Sequence, residues 1–535
     1  MVKRNRKVRQ PPNINIKNSG YSEGGASQTN KSLKSWTPRR LSANADIVAN
    51  LTRLRDRSSD QAINTPLGAA AIGTSATHTI GTGLRLFPKP KHRILGITAK
   101  EARDWARKTR EEFDLWATST ECDQYRRNSL YDLQSIAYTG YLTDGDIFAV
   151  FRRKPGGKLN PYSLKVQIVE GNRISNPQTT TEYTYDPYGV TMTNYSNGNR
   201  IVNGVEIDKF GAVEAYWISN RVPLDPTSAD IRAEWVRIKA YGSASGMPNI
   251  LQICHDVRAE QYRGVPYLAP VIETLKQVSR YTTAELTSAI IKSFFSLFFT
   301  ETTASNNPLD ILNPKYDAED MHDPVVDVSE YSLGPGTLNA LPKGVDVKSI
   351  DAANAQSTFD PFVTQMIKQI GAAINQPYEV LMKHFESSYS ASRAALLQAW
   401  EEFKIRRTWF SRDFCQPIYE TWLVEAIALG RIEAPGFHDD PLIRKAWCNA
   451  EWYGPTMSIL DPVKDVNGSA LRTTYGLSTR EREAAEMTGT DFEENLEQLA
   501  VEQEIINNLE LNIGDPKVLA GQIELLSGKE VDENE

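Results

Sequence analysis

Cys254, His255 and Asp256 stand side by side, a thiol, an imidazole and a carboxylate, which are the side-chain types of a nucleophilic triad. Their adjacency argues against that chemistry. Neighbours on a strand point to opposite faces, so the three do not converge on one substrate, and the run reads as structural. Gly81-Thr82-Gly83 begins like a dinucleotide-binding loop but lacks the third glycine and is followed by Pro88, which marks a turn. No G-x-x-x-x-G-K-[ST] segment is present to build a Walker loop for ATP. The six histidines, His78, His92, His255, His322, His384 and His438, never fall at H-x-x-x-H spacing, and none sits beside a cysteine pair. Cys122, Cys254, Cys415 and Cys448 form no C-x-x-C unit, so the pattern predicts neither a zinc ribbon nor a disulfide framework and fits a reducing compartment. Scattered carboxylates nominate no general acid and base. The expectation is a chain that is not an enzyme and uses neither cofactor nor metal.

Composition sets the frame for that expectation. A chain of 535 residues predicts two to four structural units, and 40% apolar with 24% charged residues excludes wholesale disorder. The net charge of −7 hides a polarity between the ends. Residues 1–40 hold ten Lys/Arg against Glu23, whereas residues 481–535 hold sixteen Asp/Glu against Arg482, Lys517 and Lys529. Each end reads either as a solvated tail or as a contact, the basic one for nucleic acid or an acidic partner. After the basic start come Pro11, Pro12 and polar residues where a signal peptide needs an apolar run, so secretion is not expected. The most apolar window, Ala289 to Phe299, spans eleven residues and contains Lys292, too short to cross a bilayer. No membrane partner is expected.

Periodicity places the elements. Residues 1–40 show no sustained period and read as a flexible basic arm. Ala43 to Ala76 and Thr98 to Thr118 carry apolar residues at three- to four-residue spacing, predicting surface helices. From Tyr141 to Ala240 the pattern changes to short β-branched runs, Ile147 to Phe151, Leu164 to Val169 and Val213 to Ile218, punctuated by Asn197-Gly198 and Asn203-Gly204; this predicts an antiparallel β layer. A long helix should follow Pro266 and Pro270 and run to about Phe299. Residues 300–350, rich in Pro and Gly, predict a small, mostly β or irregular insertion. Asp360-Pro361 offers an N-cap acceptor ahead of a proline at the first helical position for a second long helix. A loop at Gln376 to Ser392 and a third helix from Arg393 to about Leu429, interrupted near Pro417, come next. The last hundred residues read as helical, ending in the acidic amphipathic stretch Phe492 to Leu511. The fold class is α+β, with two long helices bracketing a small non-helical insertion.

The segment from Arg258 to Pro270 resembles the portal proteins of lambda-like phages, which carry R-x-x-Q-x-R-G-V-P-x-L-A-P ahead of a long helix. Arg258, Gln261, Arg263, Gly264, Pro266 and Pro270 stand at its fixed positions. Further stretches match in order along residues 40–510: Arg55 to Ser58, Thr79 to Gly83, Gly204 to Asp208 with Ala215 to Trp217, and Leu333 to Thr337. They continue with Asn375 to Glu379, Ser388 to Leu397 (including Arg393), and Trp452 to Pro455 with Asp461 to Lys464.

That resemblance implies a portal fold: a ring, usually of twelve identical subunits, with wing, stem, clip and crown regions around an axial channel. Carried onto this chain it assigns 41–265 to the wing, 266–299 and 351–375 to the two stem helices, and 300–350 to the clip. It assigns 376–392 to a tunnel loop, 393–429 to a long wing or crown helix, and 430–535 to the crown and acidic tail. The implied function is the passage of double-stranded DNA during packaging and ejection at the portal vertex of the virion, after assembly in the host bacterial cytoplasm. The implied partners are further copies of the chain, DNA without sequence specificity, the terminase large subunit, head-tail connector or adaptor proteins, and major capsid and scaffold proteins. Other structural capsid or tail assembly proteins, and an enzyme with an unrecognised site, are the competing readings. Lys292, Lys368, Lys383, His384, Ser387, Ser388 and Tyr389 are the candidates to face DNA, against the plainer reading that each solvates a helix face or a subunit contact. Phe294, Phe295, Phe298 and Phe299 are candidates for subunit packing.

Overall fold

The computed structural model describes residues 25–509 except 28–29, 158–159, 178–182, 186–190, 195–196, 223–231, 294–297, 300–338, 341–355, 386–387 and 458–461. It opens with three helices, α1 (Ala43–Val48), α2 (Leu51–Asn64) and α3 (Pro66–Thr79). The single helical stretch expected here breaks for local reasons. Thr65 turns extended, its hydroxyl accepts the Gly68 N–H, and Pro66 then starts α3 without needing a donor. Helix α3 is not a surface helix: Ala71, Ile72, Thr74, Ser75 and Thr79 are buried, because its small side chains let neighbouring helices close in on several sides. Strand β1 (Arg85–Pro88) and the single turn α4 (His92–Leu95) lead to α5 (Ala99–Ala117). Thr98 and Glu101 form a reciprocal capping box at its start, and Phe113 and Trp116 point from it into the core. Helix α6 (Leu130–Asp144) had no counterpart in the sequence reading. It buries Leu130, Tyr131, Leu133, Ala137, Tyr138, Tyr141 and Leu142 around much of its circumference, so it lacks the polar face that makes a helical period visible.

The β layer resolves into two antiparallel sheets. Strands β2 (Asp146–Arg153) and β3 (Leu164–Glu170) are joined later by β10 (Ile250–Cys254) in the order β10-β2-β3. Between them run β4 (Tyr183–Tyr185), β5 (Thr191–Asn194), β6 (Arg200–Val202), β7 (Val205–Ile207), β8 (Val213–Ser219) and β9 (Trp235–Lys239), paired in sequence order. The two-residue β6–β7 turn has Asn203 at φ 45° and Gly204 at φ 84°, the doubly positive turn that Asn-Gly favours. Strand β2 is covered on both faces. Ile147 and Ala149 enter the helical core, while Phe148 and Val150 meet Val202, Val205, Tyr216 and Ile218 of the second sheet. That double burial is why β2 reads as an unbroken apolar run.

A 3-10 turn (Ala269–Val271) opens α7 (Ile272–Ser293), which stops short of the expected Phe299; Phe298–Phe299 instead form β11, parallel to β12 (Asn339–Ala340). Helix α8 (Gln356–Ala373) begins before Asp360, so Asp360 is not its N-cap and Pro361 lies inside it. At the sixth residue of α8 that proline forfeits one i→i−4 backbone bond. Tyr281 and Phe362 pack edge to face, 5.1 Å between centroids, and join α7 to α8. The expected loop at 376–392 is shorter than the sequence suggested, since α9 (Tyr378–Met382) occupies part of it and α10 (Tyr389–Phe410) starts before Arg393. The interruption near Pro417 is a π-turn, Ser411–Cys415, ahead of α11 (Gln416–Ala428). Helix α12 (Pro441–Trp447), strand β13 (Ala450–Tyr453) and helices α13 (Pro462–Thr474), α14 (Arg480–Met487) and α15 (Phe492–Asn508) complete the chain. Strand β13, in a region expected to be helical, is fixed by its antiparallel partner β1. Among the described residues no helix is long and apolar enough to cross a membrane.

Candidate functional site

Asp146, the first residue of β2, is fully buried, and a carboxylate there needs donors on every side. Arg263 supplies two, Nε to Oδ2 at 2.7 Å and Nη2 to Oδ1 at 3.1 Å, and the Gly264 N–H adds a third to Oδ2 at 2.9 Å. Arg55, from α2, reaches Oδ1 at 2.5 Å and donates through Nε to the Asp144 carbonyl at 2.8 Å. The remaining donors of Arg263 go to backbone carbonyls of Ile174 (2.8 Å), Asn203 (2.5 Å) and Gly171 (2.5 Å). One guanidinium thereby ties α6–β2, the connection after β3 and the β6–β7 turn together. Burial alone would raise the Asp146 carboxyl, but the Arg263 and Arg55 charges outweigh it and hold it below its ordinary range. Burial brings Arg55 down to about 10 and raises the neighbouring Asp144 carboxyl to about 6, each opposed by the partner charge.

The residues around this junction follow from space. A Cβ on Gly264 would lie 1.8 Å from the Gly145 carbonyl oxygen, and one on Gly145 (φ 89°) would lie 2.4 Å from the Val265 carbonyl carbon, so two glycine backbones cross where no side chain fits. Gln261 closes its own loop by accepting the Val257 and Arg258 N–H groups and donating to the Arg263 carbonyl at 3.0 Å. Arg258 holds the N-terminal segment, binding Asp46 at 2.6 Å and the Leu41 carbonyl at 2.8 Å. The Pro266 carbonyl accepts the Ala269 N–H at 3.0 Å, and Pro270 sits in the 3-10 turn that launches α7. Buried Gln376 donates to the Ala71 carbonyl at 2.9 Å and to the Tyr267 hydroxyl at 3.2 Å, linking the α8–α9 turn to α3 and the motif. Arg393 binds Asp465 at 2.8 Å. A second junction forms around buried Glu206, which accepts from Arg237 (2.7 and 2.9 Å), Asn197 (2.7 Å), Asn199 (2.8 Å) and the Trp217 indole (3.0 Å). Burial opposes ionisation there, yet these donors hold its carboxyl down to about 2.

The candidate DNA-facing residues lie elsewhere. Lys383 caps α9 in the left-handed region (φ 54°) and is exposed, as are His384 and Ser388; the His384 N–H donates to the Glu379 carbonyl at 3.1 Å. Exposed Lys368 on α8 places its Nζ 5.6 Å from the Tyr378 ring centroid, which brings it beside α9. Lys292 lies in the last turn of α7 and Tyr389 opens α10. Ser387, Phe294, Phe295 and nearly all of the 300–350 insertion lie outside the described residues. The structure therefore gathers Lys368, Lys383, His384 and Ser388 around the α8–α9–α10 turns. Close by, His78 stacks on Phe403 at 5.1 Å, and burial, with Lys383 and Arg407, lowers its pKa.

The Cys254–Asp256 run is no nucleophile. Burial pushes the Cys254 thiol well above its ordinary value, the Asp146 and Asp256 carboxylates push it further, and the thiol donates to Asp256 at 3.5 Å. The His255 ring packs edge-on against Trp409 instead, 5.5 Å between centroids. Gly81 (φ 56°) and Gly83 (φ 107°) form a turn pressed against Pro455 and Tyr131, with no room for a phosphate cradle. Asp146 and Glu206 escaped the sequence reading as sites. Their one signal is an acid embedded in an apolar β run, Asp146 before Ile-Phe-Ala-Val and Glu206 between Val205 and Ile207, which demands a buried cationic partner.

The model of a family described as phage portal protein, lambda family, matches residues 29–407. Portal protein B of Escherichia phage lambda is 24% identical over 493 residues, covering 89% of this chain and 88% of that protein. The portal protein of Escherichia phage N15 is 24% identical over 494 residues, with 89% and 88% covered, and a probable portal protein of Halomonas phage phiHAP-1 is 25% identical over 437 residues, with 81% and 76% covered. A chain from the solved virion of a native gene transfer agent particle aligns over 84% of this chain and 93% of its own length at 11% identity with a TM-score of 0.38, too loose to carry geometry across.

Proposed function

Because the chain belongs to the lambda family of phage portal proteins, we propose that it works as one subunit of a twelve-membered ring at a capsid vertex, the conduit for double-stranded DNA during packaging and ejection. The supporting observation is the family match over 29–407, a range that includes both long helices, the insertion between them and the loop that follows. In this reading residues 41–265 form the wing, α7 and α8 the stem, 300–350 the clip, the loop around 376–392 the tunnel loop, and 430–535 the crown and tail. The clip receives the terminase large subunit during packaging and connector proteins afterwards, while capsid and scaffold proteins surround the ring. A separate motor supplies the force.

A conduit must let DNA slide. Duplex DNA presents a phosphate about every 1.7 Å, and a channel that neutralised many of them would grip it. A few small or flexible polar groups touching the backbone suit sliding better and read no sequence. Lys292, Lys368, Lys383, His384, Ser387, Ser388 and Tyr389 are assigned that role. The exposure of Lys368, Lys383, His384 and Ser388 around one set of turns supports the assignment. Electron-microscope class averages of the purified protein should display rings with an axial hole, and a chain that stays monomeric under every condition overturns the reading. Deleting residues 384–390 should leave rings intact and impair DNA packaging or retention; normal packaging by that variant removes the loop assignment alone.

A further inference from the structure

The last helices are built inside out. Toward its own chain α13 turns polar groups: Asp465 meets Arg393 at 2.8 Å, Arg472 meets Glu483 of α14 at 2.6 Å, and Ser469 is buried. Away from the chain it turns Val463, Val466 and Leu471, which are 69%, 53% and 55% exposed. Helix α15 repeats the inversion. Its Glu493 and Glu497 bind Arg103 (3.3 Å) and Arg107 (2.5 Å) of α5, and Arg110 holds both Asp491 (2.6 Å) and Glu494. Leu496, Leu499, Ile505 and Leu509 are 48%, 57%, 50% and 62% exposed, and none of the described residues of α15 is buried. A helix that ends in water buries its apolar stripe and solvates its polar face. Exposed ion pairs each contribute only about 0–1 kcal/mol, so the arginine row orients α15 without giving it a core. Apolar surface on this scale marks an interface.

Two such strips on one chain decide the occupant. An isologous contact or a foreign partner needs one surface, whereas a heterologous ring contact needs two different, mutually complementary ones. Glu493, Glu494 and Glu497 of α15 are already neutralised by α5, the outward side of the helix presents its leucines with Glu502 among them, and α13 carries another apolar strip in this region. We propose that the α13 strip of one copy seats on the α15 strip of the next copy, an interface that rests on the ring reading above and deepens it.

The test uses the full chain carrying Val466→Cys and Leu499→Cys together. Mild oxidation should give a ladder of disulfide-linked multimers, and neither single variant should give one. The buried thiols Cys122, Cys415 and Cys448 should stay out of it. Val466→Glu and Leu499→Glu, each on the open surface, should keep the parent melting temperature while lowering the ring population at least tenfold. Mixing these two variants should restore dimers but not rings, since each pair retains one intact contact. Rings that form without a ladder and tolerate both glutamates overturn the interface while leaving the ring itself standing, as would be seen if residues 510–535 of the same chain covered the strips. Dimers cross-linked by one cysteine variant alone overturn it in favour of an isologous contact. A chain that forms neither rings nor ladder overturns the ring reading, and this interface with it.

Discussion

Replacing Arg263 by Lys tests whether the junction at Asp146 holds the fold together. The guanidinium makes five hydrogen bonds, two to Asp146 and three to the carbonyls of Gly171, Ile174 and Asn203. A lysine ammonium has three donors on a single nitrogen and cannot span acceptors set around a planar fork. At least two buried acceptors lose their partner, at about 1–3 kcal/mol each, in line with the roughly 3–5 kcal/mol found when one member of a buried pair is disrupted. For a chain this large, about 2 °C of melting temperature accompanies each kcal/mol, so the shift should be roughly 6–10 °C downward. Differential scanning fluorimetry and near-UV circular dichroism on the purified chain at pH 7 read it directly. Arg412→Lys is the control: that side chain is 69% exposed and pairs with its neighbour Asp413, so it should shift by less than about 1 °C. Asp146→Asn combined with Arg263→Lys should fall short of the sum of the single effects by more than about 1 kcal/mol, because both remove the same bonds. An Arg263→Lys protein that melts within 2 °C of its parent would refute the reasoning.

The Glu206 junction should make stability fall with acid: its folded carboxyl lies at about 2 against an ordinary 4.5, so its contribution, on the order of 3 kcal/mol, is present above pH 4.5 and is lost as pH drops toward 2. Glu206→Gln should flatten that part of a melting-versus-pH curve, and an unchanged slope would count against the network. Gly264→Ala places a Cβ 1.8 Å from the Gly145 oxygen and should cost more than about 4 kcal/mol, seen as loss of soluble protein, whereas Gly157→Ala, with nothing within 4 Å, should be silent. In the unassembled chain, raising salt from 0.15 to 1 M shortens the screening length from about 8 to about 3 Å and should speed amide exchange across Phe492–Asn508. Equal protection at both salts would show that the arginine row does not hold α15.

Local causes were legible in the sequence. The helix expected over Thr98 to Thr118, the Asn203-Gly204 turn and the strand expected over Ile147 to Phe151 rest on residues close together in the chain, and each has its element. What escaped depends on distant partners. Strand β13 exists because β1 pairs with it, and α6 shows no period because several elements surround it. Pro361 was read as a helix start because proline suits that position, but the chain begins α8 earlier and accepts the missing bond. Arg263 and Gly264 were visible as a pattern, yet nothing local gave their reason. Asp146 lies 117 residues from Arg263 and 91 from Arg55, so a buried triad appears only when three stretches meet.

The place of the recognisable residues bears on the mechanism. Arg55, Arg258, Gln261, Arg263, Gly264 and Gln376 all carry specific donors or the absence of a side chain into crowded junctions, where no other residue type satisfies the same partners. A channel wall works under the opposite rule. Contacts with DNA must be few, weak and blind to sequence, so several small, polar or basic side chains serve equally well at each position. Sequence patterns therefore mark the scaffold and leave the channel nearly unmarked. The two regions should also fail differently. Junction variants such as Arg263→Lys should lose stability before any ring forms, whereas, on the proposed channel reading, variants at the exposed Lys383, His384 or Ser388 should leave a folded ring whose defect appears only when DNA moves through it.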